Sequence, residues 1–204
     1  SARAPQAEAQ SMIRAFVALP LPPQAVWALE GAQAGLPCGR PVPPENFHIT
    51  LAFAGEHRGD VIDDLHSALS DIRAPGFTLQ IEGVGLFGGA TPTSLYAAIR
   101  PDPALNHLRD KVVQATRRAG ITIAAQRFVP HVTLARFGNG LRGEEAALMQ
   151  GFVATRLGLR AAPFEAEGFV LYRSRLGKRV SYEALAEYPL LTGLGEGWAV
   201  SAGW

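Results

Sequence analysis

The sequence His48-Ile49-Thr50-Leu51 recurs as His131-Val132-Thr133-Leu134, which starts 83 positions later. On a β-strand, residues two apart point to the same face and lie about 6.5–7 Å from each other. Each copy therefore places an imidazole and a hydroxyl side by side on one face. Two such units supply an acid, a base and two neutral hydrogen-bond donors, a set that suits opening a phosphate ester with water and without a metal.

The repeat has a simpler interpretation, which is two ordinary strands with polar residues facing solvent. A single His-x-Thr most often has that origin. Here the pattern occurs twice in a chain with only five histidines, and a leucine follows each time. The two matching copies favour a functional site.

Composition bounds the fold and its partners. At 204 residues, of which 48% are hydrophobic, the chain can form one domain or two small lobes with a substantial core. The formal net charge is +1, so a polyanion would have to be held by a local patch. Seventeen of the 19 basic residues are arginines, which suit bidentate phosphate contacts, although the abundance of Ala, Gly and Pro points equally to compositional bias. The single cysteine, Cys38, excludes a disulfide framework and a structural cysteine zinc site.

The two ends of the chain differ from its middle. Residues 1–11 lack an apolar core and predict a flexible tail without a signal peptide, and residues 192–204 form a second tail with no clear pattern. No apolar run reaches 18 residues, so no membrane span is predicted. We expect a single two-lobed domain over residues 12–191, and a cytoplasmic, monomeric protein.

Hydrophobic periodicity predicts an α+β fold in which two sheets meet at a cleft. Gly55 is expected to end the first signature strand. The order of elements resembles a loose duplication, with one signature strand in each half. The predicted helices cover residues 22–35, 60–73, 103–119 and 143–153. The predicted strands cover residues 13–19, 47–53, 77–86, 94–100, 121–124, 128–137, 164–173 and 179–185, with a hairpin turn at Gly177-Lys178.

If the signature strands face each other across that cleft, a phosphorus atom between them has one imidazole on each side. One neutral histidine can take a proton from water, while the other, protonated, gives a proton to the leaving oxygen. His48 and His131 are therefore the candidate acid–base pair. Thr50 and Thr133 are the candidate donors to the phosphate oxygens.

Other kinds of site fit the sequence less well. Catalytic zinc usually takes three protein ligands, and no clustered acidic residues accompany either signature, so no metal or other cofactor is expected. The serine-nucleophile motif Gly-x-Ser-x-Gly and the Walker loop are absent. His57 could reach the rim of the cleft, whereas His66 and His107 are expected to be exposed helix residues.

Arginine and aromatic residues near the signatures are further candidates. Strict alternation puts Arg136 on the face opposite His131, unless the strand ends or bulges there. Four phenylalanines are expected mostly in the core, but one of them at the cleft could stack on a base: Phe16, Phe53, Phe128 and Phe137. Of these we take Phe16 and Phe53 as the candidate base-stacking residues.

At these residues the chain resembles a known family. Residues 48–51 and 128–136 resemble the paired motifs of the 2H phosphoesterases, and within them the bacterial and archaeal RNA 2′,3′-cyclic phosphodiesterases, formerly called 2′-5′ RNA ligases. Three further stretches resemble that family's opening strand, the run into its first motif and its ending: 14–22, 42–51 and 169–176. The resemblance extends over about residues 12–191.

The resemblance implies a bilobed α+β fold in which two antiparallel sheets with outer helices surround a central cleft and are related by a pseudo-twofold axis. It implies hydrolysis, without metal or cofactor, of 2′,3′-cyclic phosphates on RNA ends or nucleotides to 2′-phosphates. By this resemblance His48 is the acid that protonates the 3′ leaving oxygen, and His131 is the base that activates water. Thr50, Thr133 and Arg136 hold the phosphate.

The chain departs from the family's pattern at three positions. Pro20 stands where aspartate is common, Arg127 lies one place from the expected basic position, and Val129 replaces a second basic residue. These departures leave the acid–base set intact and concern the rim that would bind RNA.

Three other functions stay open at the level of sequence. The same acid–base pair could serve the reverse reaction, joining RNA ends through a 2′-5′ linkage. The chain could bind RNA or nucleotides without catalysis. It could also act on another cyclic phosphate, such as an ADP-ribose derivative.

Overall fold

A computed structural model describes residues 11–177 and 180–191. The helices in these ranges are α1 (Pro23–Gln33), α2 (Gly59–Ser70), α3 (Pro103–Arg118) and α4 (Gly143–Ala154). The strands are β1 (Met12–Pro20), β2 (Arg40–Pro41), β3 (His48–Arg58), β4 (Phe77–Leu79), β5 (Ile81–Phe87), β6 (Ser94–Ile99), β7 (His131–Arg136), β8 (Phe164–Ala166), β9 (Gly168–Arg175) and β10 (Ser181–Pro189). The tails expected at residues 1–11 and 192–204 lie outside the described residues except for Ser11, as does Lys178 of the expected hairpin turn.

Two four-stranded antiparallel sheets form the centre of the molecule. The first sheet has the order β10-β9-β1-β3 and the second has the order β2-β7-β6-β5, while β4 and β8 form a separate pair. Each four-stranded sheet carries one signature strand, and these two strands, β3 and β7, contact each other. The structure therefore confirms the predicted α+β fold with two antiparallel sheets meeting at a cleft.

The two sheets are not successive halves of the chain. The first sheet joins β1 and β3 to β9 and β10, which come from the other end of the described chain, and all strands of the second sheet lie between β1 and β9 in sequence. Helix α1 follows a strand of the first sheet but packs against β7, and α3 follows a strand of the second sheet but packs against β3. Because each of these helices packs against the other sheet, the two lobes are interlocked. The duplicated feature is therefore a pair of similar sheets, and not two consecutive segments of the chain.

Apolar residues at helical spacing define the buried faces of the helices. In α2, Ile62, Leu65 and Leu69 are at most 4% exposed. Burying each such side chain stabilises the fold by about 1.5–3 kcal/mol. The resulting core is one continuous cluster that includes both sheets. Among the described residues, every helix is too short or too polar to cross a lipid bilayer.

Three predicted strands differ from those observed. Residues 77–86 divide into β4 and β5, because β4 pairs with β8 while β5 pairs with β6 in another sheet. Residues 164–173 divide in the same way into β8 and β9. Residues 121–124 form no strand and belong to an irregular segment that runs to β7. In each case the residues have the apolar pattern of a strand. Whether a strand forms, and where it ends, depends on the partner strand with which it can pair.

Gly55 does not end β3 as predicted, since the strand continues to Arg58. Gly55 pairs with Ala15 and has a φ of +86°, and the pairing skips Ala54 just before it. Glycine adopts positive φ at little cost because it has no Cβ. The residue therefore bends the strand at a bulge and lets the strand go on.

The N-terminus of α3 offers a test of these local assignments. The carboxylate of Asp102 accepts hydrogen bonds from the backbone amides of Ala104 and Leu105 at 2.8 and 3.0 Å, two of the amides that a helix start leaves unpaired. Asp102→Ala should therefore lower the free energy of unfolding by about 1 kcal/mol in urea denaturation. The matched control is Asp71→Ala at the C-terminal end of α2, which should not lower the free energy of unfolding. Equal losses in the two variants would contradict the capping role.

Candidate active site

The two signature strands place their polar residues on the cleft, as alternation predicts. In β3, His48 and Thr50 are partly exposed while Ile49 between them is fully buried. In β7, His131 and Thr133 are partly exposed while the residue between them is buried. Strands β3 and β7 contact each other, and Thr50 and His131 line the same cavity. The four predicted residues thus come together at one cleft.

Both imidazoles are held in the same way. The Nδ1–H of His48 donates to the carbonyl of Asn46 at 2.7 Å, and the Nδ1–H of His131 donates to the carbonyl of Val129 at 2.7 Å. A carbonyl can only accept, so each neutral ring has its proton on Nδ1 and its lone pair on Nε2. The Nε2 of His48 lies 3.1 Å from Oγ1 of Thr50, which donates to it. Each histidine therefore offers a reactive Nε2 with a fixed ring orientation.

Aromatic rings surround the two histidines. The ring of His48 lies 4.8 Å from that of Phe16 and meets Tyr182 edge-on at 5.2 Å. The ring of His131 meets Phe87 edge-on at 4.8 Å. These contacts remove water from around the imidazoles and fix the rings by packing.

Burial shifts the proton affinity of both histidines. Burial is the main reason that the pKa of His48 falls to about 4. The hydrogen bond to the Asn46 carbonyl raises this pKa, whereas the charges of Arg136 and His131 lower it further. Burial also lowers the pKa of His131, opposed by the Val129 carbonyl and assisted by Arg136. Both imidazoles of the free protein are therefore neutral at pH 7.

A bulge interrupts each signature strand directly after the threonine. In β3 the pairing with β1 skips Leu51, and in β7 the pairing with β6 skips Leu134. Both strands then show two successive buried residues, Leu and Ala, followed by an exposed one. The bulges return the exposed residues, Phe53 and Arg136, to the cleft face.

The bulges correct two expectations from strict alternation. Strict alternation puts Arg136 on the face opposite His131, but the bulge at Leu134 brings it to the same face as His131. Alternation places Phe53 in the core, although it is also a candidate for base stacking, and the structure shows it 66% exposed and lining the cleft. The other candidate for stacking, Phe16, is only 4% exposed, so it supports His48 and presents no open face.

The amide of Gln33, which sequence reasoning missed, holds the second bulge in place. Its Nε2 donates to the carbonyl of Val42 at 2.9 Å and to the bulged Leu134 carbonyl at 2.7 Å. The side chain thus ties the end of α1 to β7, across 101 positions of sequence. No sequence motif marks such a contact, because it depends on how the two sheets are interlocked.

A cavity of about 400 Å³ extends from the signature residues along the irregular segment before β7. Thr50 and His131 lie at one end of this cavity. Arg109 of α3 also lines it and stacks on Phe128, with its guanidinium carbon 5.3 Å from the ring centroid. The remaining lining side chains are mostly apolar and include Phe53 and Phe87. A cavity of this size and character is typical of sites for small ligands.

The other histidines take no part in this cleft. His57 Nε2 bonds the carbonyl of Ala54 at 2.8 Å, and His66 Nδ1 bonds the hydroxyl of Tyr188 at 2.8 Å. His107 is exposed on α3, as predicted. Within residues 11–177 and 180–191, no group of three or more His, Cys, Asp or Glu side chains is placed to hold a metal ion.

Two antiparallel sheets that each present one His-x-Thr strand to a shared cleft define the class of 2H phosphoesterase folds. Residues 20–178 match the family described as the 2′-5′ RNA ligase superfamily, and the chain belongs to this family.

Individual relatives agree with this assignment. The chain is 32% identical over 183 residues to the RNA 2′,3′-cyclic phosphodiesterase of Geobacillus stearothermophilus, an alignment that covers 86% of this chain and 57% of that protein. The chain thus spans little more than half the length of that relative. Escherichia coli LigT complexed with 3′-AMP matches with a TM-score of 0.73 at 25% identity, over 88% of this chain and 99% of LigT. The protein TT0787 of Thermus thermophilus shares the fold, with a TM-score of 0.70 at 24% identity over 87% of this chain and 97% of that one.

The role of Gln33 can be tested by an isosteric change. Gln33→Glu replaces the donating amide by a carboxylate that faces two carbonyl oxygens. It should lower the free energy of unfolding by about 1–3 kcal/mol at pH 7, because the carboxylate donates to neither carbonyl: the Val42 carbonyl loses the donor that Gln33 supplied, while the Leu134 carbonyl keeps only its bond from the Val42 amide. The difference from the wild type should shrink as the pH falls, since a protonated glutamate regains one donor. Both effects are measured by urea denaturation across pH.

The control for this change is Gln114→Glu, which makes the same substitution at an exposed position of α3. It should alter stability by less than about 0.5 kcal/mol. If both variants lost stability equally, the two hydrogen bonds of Gln33 would have no special role.

Proposed function

We propose that this chain hydrolyses 2′,3′-cyclic phosphates on RNA ends or nucleotides, leaving a 2′-phosphate and a free 3′-hydroxyl. The observation that carries the proposal is the pair of matched imidazoles, each with its Nδ1–H on a backbone carbonyl and its Nε2 lone pair directed to a common cleft, where that of His48 accepts from the Thr50 hydroxyl. The named activity of the Geobacillus relative and the 3′-AMP complex of LigT support the same substrate class.

The reaction needs one proton acceptor and one proton donor. We assign His131 as the base: its neutral Nε2 takes a proton from water while the water oxygen bonds to phosphorus. The bond from phosphorus to the 3′ oxygen breaks, its electron pair stays on that oxygen, and His48 supplies the proton. Such proton transfers typically contribute about 10²–10⁴-fold each.

His48 must be protonated to act as the acid, although burial keeps the pKa of the free imidazole at about 4. The negative charge of a bound phosphate offsets Arg136, whose charge lowers this pKa in the free protein. A bound phosphate also attracts the imidazolium directly, so its presence raises the pKa of His48. We propose that His48 takes up its proton together with the substrate.

The remaining residues hold the substrate. Thr50 and Thr133 donate hydrogen bonds to the non-bridging oxygens, and Arg136 neutralises part of their charge. The exposed ring of Phe53 stacks on the base of the terminal nucleotide. With these groups we propose that the reaction uses no metal or other cofactor.

RNA joining through a 2′-5′ linkage is the second candidate, and the description of the family as the 2′-5′ RNA ligase superfamily favours it. In that reaction the 5′-hydroxyl of a second RNA takes the place of water: His131 accepts its proton, its oxygen bonds to phosphorus, and the bond from phosphorus to the 3′ oxygen breaks while His48 protonates that oxygen. The same residues serve both reactions, so the products, a 2′-phosphate or a 2′-5′ phosphodiester, distinguish them.

The test is turnover of adenosine 2′,3′-cyclic phosphate in excess EDTA by the wild type, His48→Ala and His131→Ala. Metal-free formation of the 2′-phosphate is expected, with kcat lowered at least about 100-fold in each variant. His107→Ala, at an exposed histidine outside the cleft, is the control and should retain full activity. Loss of wild-type activity in EDTA, or undiminished activity in either signature variant, would overturn the proposal.

A further inference from the structure

A row of residues crosses the cleft face of the second sheet at the level of Arg136. Phe87 of β5 pairs with Ser94 of β6, Ser94 pairs with Arg136 of β7, and Arg136 pairs with Arg40 of β2. Directly paired residues of antiparallel strands have their side chains on the same face. Phe87 lines the cavity, so this face is the cleft face, and Arg40 lies on it.

The two arginines of this row lie side by side without a balancing charge. Both are exposed, and neither forms an ion pair or a side-chain hydrogen bond with any residue in the described part of the chain. Like charges directly opposite each other in a sheet are destabilising. Anionic groups bound at Arg40 and at Arg136 remove that cost.

The backbone holds Arg40 in this position. Strand β2 has only two residues, yet the preceding Gly39 has a φ of +87°, and a Cβ there would collide with the ring of Phe137. The amide of Gln33 fixes carbonyls on both β7 and the segment after β2. The side chain of Arg40 is exposed, but its strand is anchored at both ends.

The matching row of the first sheet has a different chemistry. Phe53 of β3 pairs with Phe16 of β1, which pairs with Tyr172 of β9. At equivalent places after the two bulges, one lobe therefore presents the exposed ring of Phe53, packed on Phe16, and the other presents two guanidinium groups. Aromatic rings suit bases and guanidinium groups suit phosphates, so the cleft is built for both parts of a nucleotide chain.

We propose that Arg40 binds the phosphodiester next to the terminal cyclic phosphate, so that the protein prefers an RNA chain to a single nucleotide. This rests on the proposed function, in which Arg136 holds the terminal phosphate. Arg40 lies one strand further out from His131, at the edge of the sheet, where the next phosphate of the chain can reach it.

The experiment compares three substrates: adenosine 2′,3′-cyclic phosphate, the same nucleotide with a 5′-phosphate, and a trinucleotide that ends in it. Arg40→Gln should lower kcat/KM for the trinucleotide roughly tenfold more than for the unphosphorylated nucleotide, the effect of losing one charged hydrogen-bonded contact. Arg40→Lys should recover part of the loss, because it keeps the charge. Arg73→Gln removes an arginine that bonds only carbonyls at the end of α2, and it should leave the substrate preference unchanged.

Binding gives a readout that does not depend on turnover. The affinity of a trinucleotide ending in a 2′-phosphate is measured by fluorescence anisotropy at several salt concentrations. Arg40→Gln should make the dependence of log K on log salt shallower by about 0.7, as expected for one lost phosphate contact on a single strand.

The outcomes separate this inference from the proposed function. Equal losses on the 5′-phosphorylated nucleotide and the trinucleotide support a contact to the adjacent phosphate. A loss confined to the 5′-phosphorylated nucleotide contradicts an RNA site and assigns Arg40 to a terminal phosphate. Equal losses on all three substrates, or an unchanged salt slope, overturn the inference even if the hydrolase is fully active. If the wild type turns over none of them, the proposed function fails, and the salt slope still decides the role of Arg40.

Discussion

The bulge after each signature threonine is the constraint on which the site depends. Before the bulge, alternation keeps histidine and threonine on the cleft and the apolar residue between them in the core. The bulges at Leu51 and Leu134 then bury two successive residues and return the next side chain to the cleft. Without them, Arg136 would point into the core, where an unpaired guanidinium is costly. The same kind of bulge in both sheets thus places the ring of Phe53 in the cleft from one lobe and the guanidinium of Arg136 from the other.

The electrostatics of the cleft follow from that arrangement. Rings packed around His48 and His131 exclude water and keep both imidazoles neutral in the free protein, while backbone carbonyls fix their tautomers. Arg136 then contributes a positive charge with no acidic partner among the described residues. Such a cleft favours an anion over a cation or a neutral ligand. Under the proposed function, the anion itself makes the acid that the reaction needs.

The periodicity of apolar residues was sufficient to predict features that depend on neighbouring residues in the sequence. The period of two placed His48 and Thr50 on one face, and helical spacing gave the buried face of α2. Periodicity did not predict features that depend on contacts between distant segments. Residues 121–124 have the composition of a strand but no partner strand, and Gln33 contacts β7, which is about 100 positions away in the sequence. Arg40 lies in a two-residue strand that carries no signal of its own, and only its register with β7 reveals its neighbour. The sequence did contain one unused hint, since the signature repeat extends to Leu-Ala in both copies, the two residues that are buried in succession.

The most direct test of this account is an NMR titration of the His48 and His131 ring protons, with and without saturating adenosine 2′-phosphate. The account predicts that His48 titrates with a pKa of about 4 in the free protein, with His131 also below its usual value. It predicts that the bound phosphate raises both values. If His48 titrates near its ordinary pKa of about 6.5 and the ligand leaves it unchanged, the two imidazoles do not share a phosphate site, and the account is contradicted.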